Sequence, residues 1–239
     1  MIPVVIYTHS DRFDVLRVCA SQLVKYDLED YIVFLDGDPN DHASDFFCHY
    51  DEKDYYADRM TDCLGQLLEK TGDKTILLMN DYHILYEDFD ENLLRTYYEQ
   101  VDNGKFDFIR LTRVGEKPGL KIKYLPLYVY PVKSDHLYVD QPTIWNIYSL
   151  LRILRMPWKE PNQMMDNGKS YCHNLKMRAA FHHAGEIQRT DTEWDSKAFP
   201  YTHNALKGDK WNMFGYGPEL LPILSDLDID IQDRGMDKD

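Results

Sequence analysis

Short apolar runs alternate with helically spaced apolar positions along the first half of the chain. Residues 2–7 (IPVVIY) predict a buried strand, and residues 14–26 then place Val15, Leu16, Cys19, Leu23 and Val24 on one helical stripe. A second strand is expected over 31–35 (YIVFL). The polar segment 38–50 leads into a helix over 55–70, closed by Gly72-Asp73. Residues 75–83 (TILLMNDYH) form a third apolar run that stops on an Asn-Asp pair. A helix over 90–100 with an acidic first turn and a strand over 106–111 complete the half. Strand–helix alternation of this kind argues for a parallel or mostly parallel sheet.

The pattern changes in the second half. Residues 120–137, rich in Tyr, Val and Pro, suit short antiparallel strands, and residues 143–154 read as a helix that Pro157 stops. One more strand is expected over 179–184, followed by a turn at 215–218 and a helix over 219–227. The acidic tail, 228–239, is expected to fray. There is no internal repeat and no low-complexity linker. The expected fold class is α/β: a mostly parallel central sheet flanked by helices, with a small antiparallel extension in the second half, in one domain spanning 1–239.

Composition narrows the setting. The 239 residues, 44% hydrophobic and 13% aromatic, are enough for a substantial core. With 41 acids against 27 bases the formal charge is −14, which disfavours a nucleic-acid partner, because that affinity rests on neutralising phosphates. The cysteines, Cys19, Cys48, Cys63 and Cys172, form no C-x-x-C pair and no zinc-like spacing, so they are expected to be reduced thiols in a cytoplasmic compartment. A strand at 2–7 followed by Asp11 and Arg12 leaves no room for a secretory leader. No apolar run reaches the roughly 18 residues of a spanning helix, so membrane association is expected only through partners.

The acids at the strand ends carry the chemistry. A buried strand that delivers a carboxylate at its C-terminal end puts it where open α/β sheets keep their ligands. Asn80-Asp81 fits this, and such a carboxylate suits Mg²⁺ or Mn²⁺, hard cations that take oxygen ligands and keep sites for water and phosphate. A strand ending in polar turn formers gives the same letters. Asp36-Gly37-Asp38, after the second strand, admits several readings. Its carboxylates would meet ribose or base of a nucleotide, or act as nucleophile and acid/base of an aspartate-dependent phosphohydrolase, or simply form a turn. Thr8, His9, Ser10, Asp11 and Arg12 leave the first strand as a polar loop able to meet phosphate or ribose.

The order IPVVIYTHSDRF, IVFLDGD, ILLMNDYHILYEDFD, FDFIRL, QPTIWN and MPWKE, continuing through FHHAGEIQR and THNALKGDKW, resembles the GT-A-type glycosyltransferase-like proteins of capsule and lipopolysaccharide sugar biosynthesis. The resemblance implies a Rossmann-related fold, with 1–115 as the nucleotide-sugar-binding half and 116–239 as the acceptor-binding half. It also implies transfer of a sugar from a nucleotide-sugar donor to a carbohydrate or glycoconjugate acceptor. Asn80-Asp81 stands in the place of the family's metal-binding acidic motif, with Asn80 where related sequences often carry Asp. Thr8, His9, Asp11, Arg12, Asp36 and Asp38 would surround the nucleoside.

On the acceptor side the family often places an acid after a Pro-Trp pair. Glu160 is the expected general base of an inverting reaction, with Asp166 as the fallback. Gln141, Trp145 and Trp158 are candidate acceptor-pocket residues, although either Trp also suits a core. Late in the chain, His203 would be a further metal ligand and Lys210 would meet the leaving diphosphate. His182 and His183 follow an apolar run and read as near-core residues. A non-catalytic sugar-nucleotide or glycan-binding module stays open as an alternative to the transferase and the phosphohydrolase.

Overall fold

The first half builds the sheet from parallel neighbours. β1 (Val4–Tyr7) lies between β2 (Tyr31–Asp36) and β4 (Thr75–Asn80), and β3 (Phe47–Tyr50) extends the sheet beyond β2, all in parallel. In this computed structural model the described residues are 2–36, 47–51, 55–115, 119–131, 133–157 and 164–237. Among them eight strands form one sheet in the order β3-β2-β1-β4-β7-β5-β8-β6. β5 (Phe108–Arg110) and β8 (Ala179–His182) run parallel to each other, whereas β6 (Leu127–Val129) is antiparallel to β8. β7 (Thr143–Asn146) is inserted antiparallel between β4 and β5. A two-stranded antiparallel sheet, β9 (Leu206–Lys207) and β10 (Lys210–Trp211), is the small extension expected in the second half. The chain is thus α/β, with a mostly parallel sheet.

Both faces of the sheet are covered, which is why its central strands are near-continuous apolar runs. Val5, Tyr7, Phe34 and Ile76 point to one face, under α2 (Tyr56–Thr71), α4 (Ile147–Leu154) and α5 (Met164–Asn174). Val4, Ile6, Leu35 and Leu77 point to the other, under α1 (Phe13–Lys25) and α3 (Glu91–Asp102). Each fully buried Leu or Phe in these layers contributes about 1.5–3 kcal/mol. α1 carries two stripes: Leu16, Cys19 and Leu23 meet the sheet, while Val15 and Val18 meet Leu220 and Leu224 of α6 (Met213–Asp226).

Three local expectations are corrected. Residues 143–154 are not one helix. Thr143, Ile144 and Trp145 are β-formers and join the sheet, and the Asn146 side chain accepts from Ser149 N at 3.1 Å, so the helix starts at Ile147. The polar segment 38–50, where no strand was expected, contains β3, with Cys48 and Tyr50 buried in a short alternating pattern. The acidic tail is held rather than frayed through α7 (Ile231–Arg234): Arg234 donates to both oxygens of Asp14, at 2.7 and 2.5 Å. In addition, α6 begins at Met213 with a kink at Tyr216, ahead of the turn expected at 215–218. Other boundaries follow the pattern closely, including Gly72 at φ 74 closing α2 and Asp90 capping α3 through Leu93 N.

A buried cation sits at the end of β5. Arg110 is 0% exposed and donates to Tyr130 OH and to the carbonyls of His136 (2.7 Å) and Leu137 (3.2 Å), tying β5 to the segment entering β7.

Replacing Arg234 by Ala removes the bidentate pair with Asp14. The expected result is a loss of about 1 kcal/mol in urea-unfolding stability, the scale of a well-formed but partly exposed ion pair, with faster amide exchange in 231–234. Unchanged exchange there would show that the tail is held by other contacts.

Candidate functional site

Because β7 is antiparallel to both β4 and β5, strands β1, β2, β3, β4, β5 and β8 all end at one edge of the sheet. The register pairs Tyr7 with Asn80, so one step further Thr8 and Asp81 stand side by side. Thr8 Oγ1 donates to Asp81 Oδ2 at 2.6 Å, and Asp81 N donates to Tyr7 O at 3.2 Å. Asp81 is 1% exposed. Burial raises its pKa to about 6, against the opposing pull of the Thr8 hydrogen bond and the Arg12 charge.

β7 brings a second carboxylate to the same place. It enters the sheet at the edge where β4 leaves, and its register, Leu78 with Thr143, carries Asp140 and Gln141 past Asn80. Asn80 Nδ2 and Tyr82 OH both donate to Asp140, and Asn80 Nδ2 also donates to Tyr82 OH at 2.8 Å. This explains the amide at position 80: a carboxylate there would face Asp140 without a proton to share.

Between these groups lies a cleft of about 250 Å³, lined by Tyr7, Thr8, His9, Arg12, Tyr56, Arg59, Asn80, Asp81, Tyr82 and Asp140. Two guanidinium groups and two carboxylates therefore border one recess. Arg12 Nη2 donates to Asp209 Oδ1 at 3.1 Å, and the Arg59 guanidinium lies over the Tyr50 ring, 5.4 Å from its centroid. His9 Nδ1 is 3.1 Å from Tyr50 OH, which donates to Thr8 O at 2.6 Å, and burial lowers the His9 pKa. A smaller cavity of about 30 Å³, large enough for one water, adjoins it behind Asn80 and Asp140.

The structure gathers Thr8, His9, Arg12, Asn80 and Asp81 of the expected residues into this cleft. The other expected residues lie elsewhere. Asp36 is buried beside it but accepts from Ser10 N (2.5 Å) and Ser10 Oγ (2.9 Å), which holds the loop after β1. Asp11 is exposed, and its carbonyl accepts from Arg234. Asp166 is exposed on α5, Lys210 is exposed on β10, and neither lines the cleft. His203 is also outside its lining; it is buried, with Nδ1 3.2 Å from Gln141 Oε1, and burial lowers its pKa to about 4. Asp38, Trp158 and Glu160 lie outside the described residues. Trp145 packs on Phe108, with centroids 4.2 Å apart, as a core residue. His182 is likewise internal, held by Tyr97 OH and Glu186.

Tyr7, Tyr56, Arg59, Tyr82 and Asp140 are the cleft residues that sequence reasoning missed. Asp140 adjoins the QPTIWN motif by one position, but only the β7 register reveals which strand end it meets. Arg59 is one of several polar residues on α2, and no local signal separates it from the rest.

Asp81 and Asp140 are the cleft carboxylates that could face a hard divalent cation, which takes oxygen ligands and keeps sites for water and phosphate. Among the described residues no group of three or more His, Cys, Asp or Glu converges on a metal-sized site.

No family model matches the chain, and no curated protein matches it. Among solved structures it is similar to CMP-2-keto-3-deoxy-manno-octonic acid synthetase complexed with CTP, at TM-score 0.46 and 10% identity over 76% of this chain and 89% of that chain. It is also similar to 4-diphosphocytidyl-2C-methyl-D-erythritol synthase, at TM-score 0.44 and 13% identity over 79% and 92% of the two chains. A third is the Francisella tularensis 2-C-methyl-D-erythritol 4-phosphate cytidylyltransferase, at TM-score 0.45 and 14% identity over 80% and 94%. None of these three is named a glycosyltransferase, so the family suggested by the sequence motifs gains no support from them. The α/β assignment rests on the sheet's own topology.

The raised pKa of Asp81 makes a stability prediction. The native state holds this proton more tightly than the unfolded chain, so the stabilisation is fully present below about pH 4 and is lost as pH rises through about 6. Asp81→Asn cannot ionise and still accepts from Thr8. It should therefore be more stable than the wild type near neutral pH, by at most roughly 3 kcal/mol, with the gain vanishing below about pH 4. Urea unfolding across that range checks this, and a pH-independent difference would contradict it.

Proposed function

We propose that the cleft binds a nucleotide-sugar and transfers its sugar to a hydroxyl of a carbohydrate or glycoconjugate acceptor, with a divalent metal, Mn²⁺ or Mg²⁺, on the diphosphate. The observation that carries this reading is Asp81, a carboxylate held nearly inaccessible at a strand end although burial disfavours its charge. A group that opposes folding near neutral pH, set in a recess with two arginines and a second acid, is what a polar ligand site requires.

Arg12 and Arg59 supply planar donors for phosphate oxygens. Asp81 and Asp140 would hold the metal, which when bound offsets charge on the leaving diphosphate. Thr8 orients the Asp81 carboxylate, and Asn80 with Tyr82 orients that of Asp140. His9, fixed by Tyr50, presents its ring to the same recess. Glu160 is proposed as the base that takes the acceptor proton if the reaction inverts. The double engagement of Asp36 by Ser10 supports an anchoring role there and argues against the phosphohydrolase, whose nucleophile must reach phosphorus.

The test is a thermal-shift screen of UDP-, GDP-, CMP- and dTDP-sugars with and without Mn²⁺, followed by sugar release with the ligand found. One nucleotide class should stabilise the wild type by about 2.7 kcal/mol at a hundredfold excess over Kd. Chelation and Asp81→Ala should each abolish that ligand-induced gain. A folded protein that none of them stabilises would overturn the assignment, and stabilisation without sugar release to any acceptor would favour the non-catalytic binding module.

A further inference from the structure

The edge hairpin formed by residues 120–129 carries two strongly exposed apolar residues and two lysines. Ile122 N donates to Leu127 O at 2.8 Å and Val129 N to Leu120 O at 2.9 Å, with a tight turn closed by Leu125 N to Ile122 O at 3.2 Å. Within that turn Tyr124 has φ 68, a left-handed conformation that favours Gly or Asn and strains a bulky side chain. Tyr124 is nonetheless 87% exposed and Leu120 is 74% exposed. Lys121 and Lys123 are exposed between them, with the Lys123 ammonium 4.7 Å from the Tyr124 ring centroid. The chain has no acid between Glu116 and Asp135, although its net charge is −14.

The topology sets the direction of this tip. β6 runs antiparallel to β8, with Leu127 opposite His182, the last residue of β8. The hairpin therefore turns at the edge where β1 and β4 also end, the edge that carries the cleft. Four strand spacings separate β4 from β6, a lateral distance of about 20 Å.

We propose that this hairpin docks on an anionic lipid bilayer, Tyr124 at its tip and Leu120 on its outer edge entering the interfacial region and Lys121 and Lys123 meeting headgroup phosphates. An aliphatic and an aromatic side chain interleaved with lysines match both requirements of such a surface, apolar burial and attraction to anionic headgroups. Glu186, beside the hairpin through His183, is buried and paired with His182 and His183, and charges beyond a Debye length of about 8 Å are largely screened at physiological salt. The inference stands apart from the donor reading, because it names the surface at which the protein rests and not the reaction.

The test is co-sedimentation of the full chain with vesicles of phosphatidylglycerol and phosphatidylcholine, and with vesicles of phosphatidylcholine alone, in about 0.1 M salt. Binding is expected to the anionic vesicles only and should weaken as salt rises. K121E/K123E should lower the partition coefficient roughly tenfold or more. L120S/Y124S should also lower it while retaining the salt dependence, and inorganic phosphate at millimolar concentration should not compete. Circular dichroism and melting temperature should match the wild type in both variants, since all four residues are exposed. Equal binding to neutral vesicles, no binding to either, or wild-type binding by the variants would overturn the proposal. So would competition by free phosphate, or sedimentation-velocity evidence that the lysines instead join two copies of this chain.

Discussion

Thr8 and Asp81 meet because two parallel strands end in register, and the rest of the site is arranged around that contact. With Tyr7 opposite Asn80, the following pair must lie side by side, and the pleat sends their side chains to the α1 face of the sheet. There the carboxylate is shut in between the sheet and the helix, with the hydroxyl of Thr8 donating to it at 2.6 Å and the Arg12 charge opposing the effect of burial. An acid in this position resists ionisation. Its local environment therefore opposes folding near neutral pH and favours a cationic or proton-donating ligand.

The antiparallel insertion of β7 is the second determinant. A strand running with its neighbours would have delivered its C-terminal end to the cleft, whereas β7 delivers its N-terminal approach, and with it Asp140. The chain before that approach is fixed by Arg110, whose guanidinium replaces water with the carbonyls of His136 and Leu137 and with the Tyr130 hydroxyl. A buried cation that no carboxylate among the described residues contacts directly keeps its field available to nearby acids. The placement of Asp140 thus depends on a residue in another strand, and so does part of its electrostatic setting.

The C-terminal segments close the same region from the α1 side. The β9–β10 turn places Gly208 and Asp209 at φ 56 and 61, the paired positive values of a two-residue hairpin, and Asp209 receives Arg12. Arg234 joins Asp14 and reaches the carbonyls of Asp209 and Asp11. The first loop, the last hairpin and the last helix are thus cross-linked by charge-assisted hydrogen bonds around Arg12, a cleft residue. Stability of the chain's end and the geometry of the recess are coupled through these few groups.

Much of this was legible in the sequence, for a physical reason. Strands buried on both faces must be apolar throughout and helices between them must show one apolar stripe, so the alternation over 2–111 carries the sheet class directly. Asn80-Asp81 stood out because an apolar run cannot end in two polar residues without bringing them to an edge. Local signals failed where one residue type serves two structures: Thr143–Asn146 has apolar positions compatible with a helix, and pairing with β4 and β5 decided for a strand. Asp36, Asp166, Lys210 and His203 have the chemistry of a site, but a side chain's role depends on what it faces. Ser10 occupies the first, solvent surrounds the next two, and Gln141 holds the last. Asp140, Arg59 and Tyr82 enter the cleft only through strand order and helix packing. The sequence by itself determined the layers, the strand-end acids and the sign of the charge. Tertiary structure alone decided which polar groups converge, because contacts between residues far apart in the chain are set by register and packing, which leave no trace in local composition.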